Sequence, residues 1–235
     1  KVCALQPIST FPSRYEAFKD NRDSLGVWSN NPSECLLDYI LDPVYGCGGV
    51  LGIDDIDLQS FDVFYNFCNE QVEVEVDGVT SFKKRFECNG VVDTSDDRDT
   101  IISDFLESAG AYARFNLGKF AVVLKARRIS VADIPISHMM DSFTRTNQGH
   151  ASKLNKVVAK FQSLSDELEE DQVISEVPLN ERGRYEPELV EEIPLLFVGH
   201  DWEAQAIADK YLANRRNPDY VKFTLDASYI EIEAG

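Results

Sequence analysis

Cys47 stands in a run of glycines, Gly46-Cys47-Gly48-Gly49, that closes the stretch NPSECLLDYILDPVYGCGG (31–49). Three chemistries could use such a run. A thiolate nucleophile needs a base within hydrogen-bond reach, and none of the three histidines, His138, His150 and His200, has a local context that points to Cys47. A phosphate cradle sits between a strand and a helix, where backbone N–H groups at the helix N-terminus receive the anion. GCGG instead follows a helical pattern, and no Lys-Ser/Thr comes after it. The third use is a tight turn, which is what glycines around a cysteine ordinarily mean.

Metal chemistry fares no better. Asp54, Asp55 and Asp57 suggest a calcium loop, but the alternating ligands, central glycine and terminal glutamate of an EF-hand are missing. These acids read as helix caps. The five cysteines (Cys3, Cys35, Cys47, Cys68, Cys88) form no C-x-x-C pair and no Cys/His cluster, so free thiols in a reducing compartment are the default expectation. His200 and Asp201 precede a helical pattern in which Asp201 reads as the N-cap. The sequence assigns no catalytic, cofactor-binding or metal-binding residue, and no cofactor.

The elements that would position these residues follow from periodicity. Asn31-Pro32 predicts a helix start, since asparagine caps and proline at the first position gives up no needed hydrogen bond. Cys35, Leu36, Tyr39 and Ile40 recur at helical spacing up to the stop at Asp42-Pro43. Asp57 caps a second helix carrying Phe61, Phe64, Tyr65 and Cys68 on one face. QVEVEV, then Asp77-Gly78, then SFKKRFECNGVV reads as a β-hairpin. A third helix begins near Ser95 or Asp96, buries Ile101, Ile102, Phe105, Leu106 and Ala109, and ends at Gly110. AYARF and KFAVVLKA form a second hairpin around Asn116-Leu117-Gly118. FTRTNQGHASK reads as a connection, NKVVAKFQ and LLFVG as strands, 201–216 as a helix with Ala204, Ile207, Ala208, Tyr211 and Leu212 inward, and VKFTLDASYIEIE as closing strands. This is an α+β order of short helices, hairpins and small mixed or barrel-like sheets.

At 235 residues and 43% hydrophobic content the chain can bury one large core or two modest ones. No apolar run approaches the roughly 18 residues needed to span a bilayer, and no signal-peptide pattern opens the chain. Its start at Lys1 without methionine, and its end at IEIEAG inside a strand-like pattern, read as a processed product or a segment of a longer protein. The formal charge is −18, and residues 165–192 hold eleven acids against Arg182 and Arg184, a net −9. Such a stretch reads as a solvated loop face, or as a surface that repels nucleic-acid phosphates and anionic lipid.

Taken in order, three motifs carry a resemblance: NPSECLLDYILDPVYGCGG, IDDIDLQSFDVFYNFCNEQV, and RFECNGVVDTSDDRDTIISDFLESAGAYARFNLGKFAVVL. Together they resemble the central hub region of the tail-tip attachment proteins (protein J type) of lambda-like long-tailed phages, related to the baseplate hubs of contractile tails. In that family an Asn-Pro helix ending in a Tyr-Gly turn leads to an Ile-Asp-Leu-x-Ser-Phe helix. A Cys-Asn strand before a helix, glycine and hairpin follows. Order and spacing agree from about residue 28 to 125. A looser likeness runs from 143 to 235 through FTRTNQGHASKLNKVVAKF and GHDWEAQAIADKYLANRR. The chain departs from the pattern at its start and at residues 164–192, which read as an acidic insertion.

The resemblance implies a structural virion protein rather than an enzyme: a homotrimeric hub at the end of the tail tube that adapts sixfold to threefold symmetry and supports host attachment. The implied partners are itself and other tail-tip and tail-tube proteins. DNA would pass the lumen without specific binding, and this segment would not insert stably into a membrane. The implied location is the virion tail tip, after synthesis in the host cytoplasm. The expected organisation is an N-terminal segment 1–27, a helix-hairpin hub domain 28–132, and an α+β hub domain 133–235 that continues beyond the chain. The alternatives are a tail-associated hydrolase and the hub of a phage-derived gene-transfer particle.

Overall fold

The computed structural model describes residues 29–76, 78–116, 118–126, 135, 138–140, 144–147, 153–165, 168–183, 186–216 and 219–224. Among these, four α-helices and nine strands form a mixed α+β fold. The sheets are small, three of two strands and one of three, and none closes into a barrel. No described helix is long and apolar enough to cross a membrane.

Helix α1 (Pro32–Leu41) starts where expected, with the Asn31 side chain accepting the Ser33 N–H at 2.9 Å and Asp42 as its C-cap. Helix α2 (Leu58–Asn69) is capped by Asp57, whose Oδ1 accepts from Gln59 N at 3.2 Å. Ser33 Oγ donates to Phe61 O at 2.8 Å, tying the two helices together. The hairpin β1 (Gln71–Val76) and β2 (Val79–Lys84) turns through two residues, with Gly78 at φ +75°. Its second strand stops at Lys84, short of the expected run through Val92. The backbone after it is bonded elsewhere: Cys88 N donates to Asn30 O at 2.7 Å and Asn89 N to Phe197 O at 2.8 Å.

Helix α3 (Arg98–Glu107) follows the N-cap Asp97, one or two residues later than the start read at Ser95 or Asp96, and the chain leaves it through Gly110 at φ +61°. Hairpin β3 (Ala111–Asn116) and β4 (Lys119–Leu124) follows, with Gly118 at φ +84°. Strand β4 docks on α2 through Ser60 Oγ, which accepts from Val122 N at 3.0 Å.

Three expectations for the second half need correction. FTRTNQGHASK contains a strand, β5 (Thr144–Asn147), paired antiparallel with β9 (Asp219–Lys222). A strand whose partner lies so far along the chain leaves little local signal. LLFVG is not a strand: β8 is Val190–Leu195, and Leu196–Phe197 turn away from it. The 164–192 stretch is not a loop throughout, although most of its described acids do face solvent. It contributes β7 (Glu170–Glu176) and the first half of β8 to the sheet centred on β6 (Lys156–Gln162), in the order β7-β6-β8, with β8 parallel to β6. Pro194 is tolerated because β8 is an edge strand. The predicted closing strands beyond residue 224 lie outside the described residues.

Helix α4 (Asp201–Arg216) packs across β6 and β7. The buried cluster draws on both halves of the chain, from Leu36, Phe61, Phe105 and Phe120 to Val157, Phe197, Ala204 and Leu212. The stacked rings of Phe105 and Phe197, 4.1 Å apart between centroids, join α3 to the turn after β8. Asn155 is fully buried and fixes the crossover: its Nδ2 donates to Pro187 O at 2.7 Å and its Oδ1 accepts from Leu189 N at 2.9 Å.

Candidate functional site

The loop that follows α1 is built by its own backbone. Asp42 Oδ1 accepts the N–H groups of Val44 at 2.7 Å and Tyr45 at 2.8 Å. Cys47 N donates to Ile40 O at 3.1 Å, Gly48 N to Asp42 O at 3.0 Å, and Cys47 O accepts from both Val50 and Leu51 at 2.8 Å. The glycines do sit in a turn, but neither Gly46 nor Gly48 has a positive φ. They supply close approach: a Cβ on Gly46 would lie 1.6 Å from Tyr39 O, and one on Gly48 2.3 Å from Leu41 O. The loop is thus pressed onto the end of α1. It holds Val44, Tyr45 and Val50 at 66%, 60% and 81% exposure. Apolar side chains fixed in water by a stiff loop forgo about 1.5–3 kcal/mol each of burial free energy, and such patches ordinarily meet a partner surface.

Cys47 itself is half-buried beneath this loop. Burial pushes its thiol above the ordinary value, and Asp99 adds to that against the opposing pull of Arg98. The thiol is held protonated, the reverse of what an activated nucleophile requires. His138 sits in a turn, its N–H donated to Pro135 O at 3.0 Å, and His150 lies outside the described residues. Asp55 Oδ2 accepts from Gly52 N at 2.8 Å inside the short turn Ile53–Asp55, Asp57 caps α2, and Asp54 faces solvent. Among the described residues no three His, Cys, Asp or Glu side chains converge on a common point that could hold a metal.

Periodicity missed a second group, gathered at the start of α4. Asp201 is the first helical residue rather than the N-cap: its Oδ1 accepts from Trp202 N, and the His200 carbonyl takes the Ala204 N–H at 3.1 Å. Glu203, at the third helical position, is fully buried, and its Oε1 accepts the Glu87 N–H at 2.7 Å. Burial pushes its carboxyl up to about 8, with the charge of Glu87 adding to the effect, so Glu203 is neutral at pH 7. Glu87 goes the other way. His200 Nε2 stands 3.8 Å from Glu87 Oε2, an electrostatic pull across a gap longer than a hydrogen bond, and Lys84 Nζ is 3.9 Å from Oε1. Together with Asn30 they hold Glu87 below the ordinary range, against the opposing effect of burial. The His200 and Trp202 rings stack at 4.0 Å.

Two carboxyls with pKa values driven apart resemble an acid and base pair in outline. Glu203, however, has no exposed surface from which to meet a substrate. Its place in the fold is to join α4 to the segment leading from β2, and the sequence signal for it is a glutamate at the third position of a helix. No family model matches the chain.

Proposed function

We propose that this chain is a structural component of a phage tail tip, part of a homotrimeric hub at the end of the tail tube that supports host attachment and lets DNA pass. The observation that carries the reading is the loop at 42–51. The stretch with the most specific resemblance to tail-tip hubs is also the one stiffened by Asp42 and two close-approach glycines, with Val44, Tyr45 and Val50 turned to solvent. A rigid, apolar, projecting loop suits a subunit contact. The hairpins support the same reading, since Val79, Phe82 and Phe115 are also exposed.

The acidic segment bears on DNA passage through the carboxylates that are not neutralised locally. Glu176, Glu186, Glu191 and Glu192 pair with Arg182, Arg216, Arg215 and Lys160. Asp171 and Glu188 are exposed and make no ion pair among the described residues. Free carboxylates repel phosphate and keep a passing duplex from sticking. A cryo-EM map of the tail tip of a particle carrying this protein tests the reading. Three copies around the tail axis are expected, with these carboxylates toward the lumen; a tip with no density for the chain refutes it.

A further inference from the structure

Between the ends of α3 and β4, the edge strand β8 and the flank of α4 lies a cavity of about 250 Å³. Its lining divides by chemistry. Phe86, Ile193, Leu195 and Ile207 give an apolar bed, while Lys125, Lys210 and Arg215 bring positive charge, with Glu107 as the acid in the wall. In a chain of net charge −18 this is a local inversion of sign.

Neither Lys125 nor Lys210 has an ion-pair partner among the described residues. The Lys210 ammonium lies over Gly110, 3.9 Å from where a Cβ would stand. Burial lowers its affinity for a proton, and the charges of Arg85 and Lys125 lower it further. Cations held together beside an apolar surface are relieved by an anion that brings its own apolar body.

The charge balance also selects the kind of anion. Arg215 is already engaged, its Nη2 3.5 Å from Glu191 Oε1, which in turn accepts from Tyr211 OH at 2.7 Å. With Glu191 and Glu107 set against Lys125, Lys210 and Arg215, one positive charge is left over, which suits a monoanion better than a phosphate dianion. Pockets for drug-sized ligands run roughly 300–1,000 Å³, so the occupant here is small.

We propose that this cavity binds a small amphipathic carboxylate, its apolar body on Phe86, Ile193, Leu195 and Ile207 and its carboxylate taken by the ammonium groups of Lys125 and Lys210. The site stands independently of the assembly reading. Isothermal titration of the full chain with sodium octanoate, below its micelle concentration, tests it, with octylammonium chloride and inorganic phosphate as controls. Octanoate is expected to bind one to one. Lys210→Gln and Lys125→Gln should each weaken it tenfold or more. Ala206→Trp, placed at an exposed lining position, should block it with the thermal unfolding curve unchanged. Octylammonium binding as well as octanoate, or wild-type affinity in all three variants, overturns the proposal. Phosphate binding as tightly as octanoate overturns the amphipathic part and leaves an inorganic-anion site.

Discussion

The buried carboxyl of Glu203 accepts the backbone N–H of Glu87 at 2.7 Å, joining residues 116 apart in sequence. Because the folded state raises this carboxyl to about 8 from an ordinary 4.5, the folded chain holds a proton that the unfolded chain releases. The contribution is complete below pH 4.5 and is lost as pH rises toward 8. Each tenfold change in proton affinity is worth about 1.4 kcal/mol, so the loss is on the order of several kcal/mol. Glu203→Gln keeps the acceptor oxygen and removes the titration. In urea unfolding at pH 5.5 and pH 8, the variant should gain on the wild type as pH rises. An equal pH dependence in both proteins contradicts the burial argument.

The opposite slope belongs to Glu186. Its side chain is 2% exposed, and Arg216 Nη1 donates to its Oε1 at 2.7 Å while Gly183 N donates to Oε2 at 2.9 Å. These bonds hold the carboxyl at about 2, so the stability they give is present above pH 4.5 and lost as pH falls toward 2. Arg216→Met should cost about 2 kcal/mol at pH 7, and the cost should shrink at pH 3. Urea midpoints at the two pH values check this.

Gly46 and Gly48 separate two roles of glycine. Gly46→Ala drives a Cβ into the Tyr39 carbonyl, and Gly48→Val does the same at Leu41. Each should destabilise the fold by about 3 kcal/mol or more, so Gly48→Val disturbs folding before it disturbs assembly. Gly49→Ala meets nothing within 4 Å and should stay within about 0.5 kcal/mol of the wild type. Thermal unfolding of the three variants measures the contrast.

The helix caps Asn31 and Asp57, the turns at Gly78 and Gly118 and the apolar stripes of α1 to α3 were legible because each depends on neighbours in sequence. Strands β7 and β8 were not. Their acids mask the alternation, which shows only in the structure, where Val173, Ser175, Ile193 and Leu195 turn inward and Glu176 and Glu192 turn out to Arg182 and Lys160. LLFVG looked like a strand because Phe197 and Val198 are buried, though they lie in and after a turn. The site residues divide the same way. Cys47 could be set aside for want of a base, whereas Glu203 and Lys210 take their character from segments far away in the chain.

The central claim is that the projecting loop at 42–51 makes a subunit contact in a trimer. Light scattering on the size-separated chain measures it most directly, comparing the wild type with the double variant Tyr45→Asp, Val50→Asp. Both positions are exposed, so the variant should keep its fold. The account predicts a wild-type mass of three chains and a folded, monomeric variant. A wild type that stays monomeric at every concentration, or a variant that still forms the trimer, contradicts it.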